Sequence, residues 1–260
     1  MTPAIVIRPA RPDDAETAAA FAEVKRAEYA RYSPVFWRPA ADARAKHQPF
    51  LRFCIQSDQF AAFAAETDAE TGRAVVGVAL ANRHGAPAPF RADPEPTWFV
   101  DDFFVANSAL WPTAGLALLE AIQRAASAGG AARVVVVVAQ RDEPKRALLR
   151  SAGYTLAAAW WVRPLAPIAA PTDSSAPEAP EGIEAVVAPA PPVYNPGGPV
   201  ALALSLGDAP AAQVARFDAW AAASGAALAV IPARVADVAL VEALARAGYT
   251  VASEWYVRPQ

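Results

Sequence analysis

The chain has 260 residues, enough for one large domain or two ordinary ones with their own buried cores. Its formal net charge of −3 and the lack of any Lys/Arg run carry no signature of a nucleic-acid or membrane-surface partner. A lone cysteine, Cys54, excludes an internal disulfide and fits a reducing, cytoplasmic setting. Cys54 reads as a small buried apolar residue, since no His stands at a telling spacing from it. With His47 and His84 as the only histidines, no His-rich metal site is expected. The start, MTPAIVIRPARPDD, shows no apolar stretch of signal-peptide length.

In chain order, residues 4–8 (AIVIR) alternate as a strand. A helix follows, with Asp13, Asp14 and Glu16 at its front, where acids oppose the positive end of the dipole. A second helix is predicted over about 41–57. FAAFAAETD and AVVGVALAN then read as a hairpin about Glu70-Thr71-Gly72. A Pro-rich loop leads to a strand over 97–106, a helix over 112–128, a strand over 132–140, a helix over 143–152 and a strand over 155–163. The valine run 134–138 is far too short to span a bilayer and predicts a strand buried on both faces. This order is mixed α/β.

From Arg163 to Val200 proline, alanine and small polar residues dominate, and 166–181 reads as an extended linker. The run IEAVVA predicts one edge strand. Beyond it the sequence repeats itself: AGYTLAAAWWVRP at 152–164 returns as AGYTVASEWYVRP at 247–259. At the same offset, strand 132–140 falls on ALAVIPARV and helix 143–152 on VALVEALARA. PVALALSL and the helix near 210–223 complete a partial second copy. Asp208 reads as that helix's N-cap. The aromatic-basic ends WWVRP and WYVRP predict equivalent terminal strands that pack together, with the two copies forming a pseudo-symmetric pair.

The first copy carries a recognisable pattern. The acidic strand VDDFFV is followed by Val105 and, at fixed spacing, Leu118-Leu119. This resembles the V-x-P-x-x-[RQ]-G-x-G-[ILV]-[GA]-x-x-L-L signature of the GNAT superfamily of N-acetyltransferases. VDDFFV is similar to LEDFFV in the spermidine/spermine N-acetyltransferase branch, and VAQRDEPKRALLRSAG resembles VAEWNEPSINFYKRRG there. The resemblance covers about residues 3–165. It implies a GNAT-like domain over 1–165, with a mostly antiparallel central sheet flanked by helices. The linker 166–181 and a truncated, degenerate GNAT-like repeat over 182–260 would follow.

What the resemblance implies for activity is acyl-CoA-dependent N-acyl transfer, with acetyl-CoA as co-substrate and a small-molecule amine as acceptor. Asp101 matches the carboxylate thought to take the amine's proton. Phe104, Val105, Ala106, Leu110, Thr113, Ala114, Gly115 and Asp142 fall where the cofactor binds. A diphosphate needs a fan of backbone N–H groups at a helix N-terminus, and glycines let it approach. Here Leu110, Trp111 and Thr113 replace the Arg/Gln and two glycines, Pro112 removes a donor, and only Gly115 matches. Leu149 stands where the family's general-acid Tyr would be. Asp101 and Asp102, adjacent on a strand, are expected on opposite faces. The alternative reading is a catalytically inactive binding or regulatory protein, with SALWPT an ordinary helix start. A monomer with pseudo-symmetric halves and a homodimer both fit the repeat.

Overall fold

The computed structural model describes residues 4–69, 72–83, 90, 95–166 and 177–260. Most of the predicted linker, the 70–71 turn, His84 and most of the Pro-rich loop lie outside the described residues. The elements run β1 (Val6–Pro9), α1 (Asp14–Tyr29), α2 (Ala43–Gln56), β2 (Phe60–Ala69), β3 (Gly72–Asn82), β4 (Thr97–Val105), α3 (Leu116–Ala128), β5 (Arg133–Ala139), α4 (Glu143–Ser151) and β6 (Thr155–Pro164). The second copy supplies β7 (Ile183–Ala188), β8 (Val200–Leu206), α5 (Pro210–Ala223), β9 (Leu228–Arg234), α6 (Val238–Arg246) and β10 (Thr250–Pro259).

Among the described residues the strands form a single sheet in the order β1-β2-β3-β4-β5-β10-β6-β9-β8-β7. Neighbours are antiparallel except β4·β5 and β8·β9, which are parallel. The expected fold class, a mostly antiparallel central sheet with flanking helices, is what the chain adopts. IEAVVA is an edge strand, as its short length and half-exposed pattern require.

The predicted pairing of the terminal strands takes the form of an exchange. β10 inserts between β5 and β6, and β6 in turn pairs with β9 of the second copy. When the two copies are interchanged, the register pairs between β10 and β6 map onto one another, the central pair Glu254↔Ala159 onto itself. For example, Thr250↔Val162 becomes Val257↔Thr155. Each copy therefore gives its last strand to the middle of the sheet, and neither presents an open edge there.

Packing follows the sequence periodicities. In β5, Val134 to Val138 are all buried, alternate residues joining clusters on opposite faces. α3 and α4 bring Leu118, Leu119, Ile122, Leu148 and Leu149 against one face of the first half. On the other face, α1 and α2 lay Ala15, Ala18, Ala19, Leu51 and Cys54 over Val78 and Leu80. α5 and α6 repeat the first arrangement over β7–β9 through Val214, Phe217, Leu240 and Leu244.

Two local expectations differ. The segment after β4 is not one helix from 112. A tight turn at Ser108–Leu110 is followed by a wide π turn at Trp111–Gly115, and α3 proper begins at Leu116. Pro112 lacks the N–H that a regular first turn would use. At the start of α5, Asp208 is not the cap. Ala209 holds that place with a φ of 61° and no side-chain cap, ahead of Pro210.

Candidate active site

The site begins where two parallel strands part. β4 and β5 pair from Thr97↔Arg133 to Val100↔Val136 and then diverge. On its other edge β4 pairs with β3 through Ala79↔Phe103 and Ala81↔Val100, so Asp101 and Asp102 lie together opposite Leu80 alone. This is a β-bulge at the first residues beyond the fork. A bulge re-aims side chains, and here it overrides strand alternation. Both Asp101 and Asp102 line one cavity of about 290 Å³, which corrects the expectation of opposite faces.

The cavity's far wall comes from helices whose inner stripe changes character. α1 buries Ala15, Ala18, Ala19 and Ala22, then Lys25, Arg26 and Tyr29 at the same helical spacing. α2 buries Ala43, His47, Leu51 and Cys54. Phe104, Val137, Val138 and Ala139 line the sheet side. The second copy closes the remaining side. The loop before β8 bonds to the segment after α1 through Ala40 N to Val193 O (3.0 Å) and Asn195 N to Arg38 O (2.9 Å), and Tyr194 thereby faces the cavity.

Polar contacts tie these walls together. Arg26 Nη1 donates to His47 Nδ1 at 2.9 Å, and His47 Nε2 lies 3.1 Å from Asp102 Oδ1. Both contacts are met by a neutral imidazole with its proton on Nε2. Lys145, on the inner stripe of α4, donates from Nζ to the carbonyl of Phe103 (3.3 Å), which lies on β4 beyond its last pairing with β5. Asp142 is wholly buried and accepts from Tyr29 Oη (2.7 Å), Lys25 Nζ (3.3 Å) and the backbone N–H of Lys145 (3.4 Å). It caps α4 and anchors α1 to it.

The electrostatics divide the acids. Asp101 keeps accessible surface, and the protein packed around it withdraws part of its hydration. Desolvation first, and the charge of Asp102 second, push its carboxyl up to about 6, against the pull of Lys145. Desolvation presses the Lys145 ammonium down to about 8, with Asp142 and Asp101 opposing. The fork thus holds a carboxylate and an amine whose proton affinities have been drawn toward neutrality. Cys54 is fully buried and its thiol is raised to about 12 by burial, so it is no nucleophile.

The stretch expected to bind the cofactor is placed as follows. Phe104 lines the cavity; Val105 is buried and pairs with Gly77. The Ala106 N–H donates to Val76 O (2.8 Å), that of Leu110 to Asn107 O (3.1 Å), and that of Trp111 to Ser108 O. Asn107 Oδ1 takes the Ala109 N–H at 3.1 Å. Thr113 is exposed, with its hydroxyl 3.4 Å from Leu110 O. Ala114 and Gly115 are buried beneath Trp111, whose indole is 1% exposed and sits edge-on to Phe103 with centroids 4.9 Å apart. The indole therefore fills the corner below the turn, while the fork beside it stays open as the cavity. Leu149 is fully buried in the core, with no exposed surface toward the cavity.

Sequence reasoning did not single out Lys25, Arg26, His47, Lys145 or Tyr194 as site residues. The signal for the first two was present: extending the Ala15-Ala18-Ala19-Ala22 stripe lands on them, and basic residues on an inner stripe imply a polar cavity beneath. Tyr194 had no such signal, because only the docking of the second copy brings it near. Among the described residues no group of three or more His, Cys, Asp or Glu side chains is placed to hold a metal ion. No helix among them is long and apolar enough to cross a membrane.

In the second copy β8 and β9 part in the same way after Leu202↔Val230, leaving a shallower cleft of about 210 Å³. Ala203, Leu206, Ile231 and Ala233 line it, beside Asp237, which caps α6 as Asp142 caps α4.

No protein-family model matches the chain, and no curated protein does. Solved structures match along its whole length. A Thermoplasma acidophilum protein provisionally named an acetyltransferase superposes with a TM-score of 0.58 at 11% identity, covering 98% of this chain and 100% of its own. A tandem GNAT protein from the clavulanic acid biosynthesis pathway, solved without acetyl-CoA, gives 0.51 at 14% identity, with 98% of each chain covered. The chain therefore has the tandem GNAT fold.

Proposed function

We propose that the chain is an acyl-CoA-dependent N-acyltransferase for a small amine, and that the amine binds in the cavity at the β4/β5 fork. The observation that carries this reading is the position of Asp101, the first residue beyond the last paired step, on a bulge and beside open space. An amine attacks only when neutral, and a carboxyl raised to about 6 is matched to accept its proton near neutral pH. The likeness of VDDFFV to the spermidine/spermine branch supports the same role for Asp101.

Bound acetyl-CoA would supply the acyl group as a thioester. The parted strands fit its acyl end, since β4 beyond Val100 has no strand partner on the β5 side. The diphosphate corner does not fit while Trp111 occupies it and the amides of Ala109, Leu110 and Trp111 are spent within the turn. This favours a second reading, a cleft that binds its ligand without acyl transfer. The chain's own chemistry is common to both. Asp101 orients and deprotonates an amine, Lys145 balances its charge, and Trp37, Phe104 and Val137 exclude water.

The two readings separate by measurement. A ligand present at about 100 times its Kd adds about 2.7 kcal/mol to the folded state. Acetyl-CoA should raise Tm by several degrees, and free thiol should appear in the presence of a small amine. No Tm shift at millimolar acetyl-CoA, in the wild type and in Trp111→Gly alike, would reject the acyltransferase reading and leave ligand binding.

A further inference from the structure

Arg26 is 3% exposed and lines the cavity, yet among the described residues only its Nη1 has a partner, the ring nitrogen of His47. Its Nε and Nη2 make no hydrogen bond. These two N–H groups lie along one edge of the guanidinium, the edge whose parallel donors match the two oxygens of a carboxylate. A buried guanidinium edge without acceptors is costly, and native interiors seldom keep one without a use. The neighbouring acids are engaged: Asp102 by His47, and Asp142 by Tyr29 and Lys25.

We propose that the cavity takes an amino carboxylate, with the ligand's carboxylate on the Nε/Nη2 edge of Arg26 and its amine toward Asp101. The amine half of this inference rests on the role given to Asp101 above; the carboxylate half rests on Arg26 alone. Both nitrogens are closed to solvent, so this binding mode requires a small rotation of the guanidinium toward the cavity it lines.

The charge pattern selects the class. Arg26 shares the cavity with Asp101 and Asp102 as well as Lys25, Lys46 and Lys145, so a ligand with a carboxylate at one end and a cationic amine at the other meets opposite charge at both. The volume, about 290 Å³, is at the small end of ligand sites and suits a free amino acid rather than a polypeptide. Trp37, Phe104 and Val137 give the side chain an apolar wall. Tyr194 helps to close the cavity, which makes the second copy part of the specificity.

The test uses the full chain without acetyl-CoA. L-Alanine, L-leucine and L-tyrosine are titrated, each beside its decarboxylated amine (ethylamine, isoamylamine, tyramine), with Tm and calorimetry as readouts. At least one amino acid should bind, and its amine should bind about 100-fold more weakly for want of the bidentate pair. Arg26→Gln should erase that difference, and Arg26→Lys should restore only part of it. Amines that bind as well as their parent amino acids, or no binding by any amino acid, would overturn the proposal. If Arg26→Gln fails to fold, the comparison of parent and amine on the native chain decides alone. Amino-acid binding without turnover would uphold this inference while removing the acyltransferase reading. Turnover of plain amines with no preference for a carboxylate would do the reverse.

Discussion

Ala159 and Glu254 occupy equivalent positions in the two copies and pair with each other across the centre of the sheet. The pseudo-twofold axis therefore passes through this pair. Symmetry ends at the side chains. Glu254, 5% exposed, accepts from Arg146 Nε (2.7 Å) and Tyr256 Oη (3.1 Å), while Ala159 carries no such group. The sheet is two-fold in its backbone and one-sided in its chemistry.

Strand exchange makes the halves interdependent. A fragment of residues 1–165 loses β10, which covers the inner edge of β5 through seven register pairs from Ser253↔Ala139 to Pro259↔Arg133. It should be poorly soluble or associate with itself, because β5 and β6 are then unpaired edges. Co-expression with residues 177–260 should restore a cooperative, stoichiometric complex, seen by size-exclusion chromatography and a single melting transition. A monomeric, folded 1–165 fragment would contradict the exchange.

The repeat also supplies an internal control for Asp142. Asp237 holds the same place before α6 but is exposed, and it caps Leu240 N at 3.1 Å. Asp237→Ala should cost about 1 kcal/mol, the ordinary loss of a cap. Asp142→Ala also strands the buried Tyr29 hydroxyl and leaves Lys25 with Glu28 alone, and should cost about 3–5 kcal/mol. Urea unfolding of the two variants measures the difference.

Trp111 and Gly115 are fitted to each other. A Cβ on Gly115 would come within 2.6 Å of the indole Cε3. Gly115→Ala should destabilise by about 1–3 kcal/mol through overpacking. Trp111→Ala should cost about 3–5 kcal/mol and empty the corner. If the corner is a closed diphosphate site, Trp111→Gly binds acetyl-CoA more tightly than the wild type despite its lower Tm; calorimetry reads the affinity.

Asp101 gives a pH signature. Its folded-state pKa of about 6 is raised above the ordinary 3.8, so between these values the folded state holds more protons than the unfolded. Stability therefore falls as pH rises through that window, and Asp101→Asn should flatten the fall. If Asp101 is the base, kcat/KM should climb with pH around 6, and Asp101→Asn should lower it at least 100-fold. A stability profile unchanged by the substitution would contradict the raised pKa.

The periodicities of the chain, with its glycines and prolines, were enough to place nearly every strand and helix, because those signals are local. The match of 152–164 to 247–259 likewise announced paired terminal strands. The acidic strand pointed to Asp101 through its resemblance alone. The sequence by itself determined elements, repeat and fold class. Only tertiary structure decided that β10 lies inside the first half, that a bulge turns both aspartates into one cavity, and that Arg26, His47, Lys145 and Tyr194 surround it. Register, bulges and cavities arise from contacts between residues far apart in the chain, and no local pattern encodes which distant partner leaves a guanidinium edge without an acceptor.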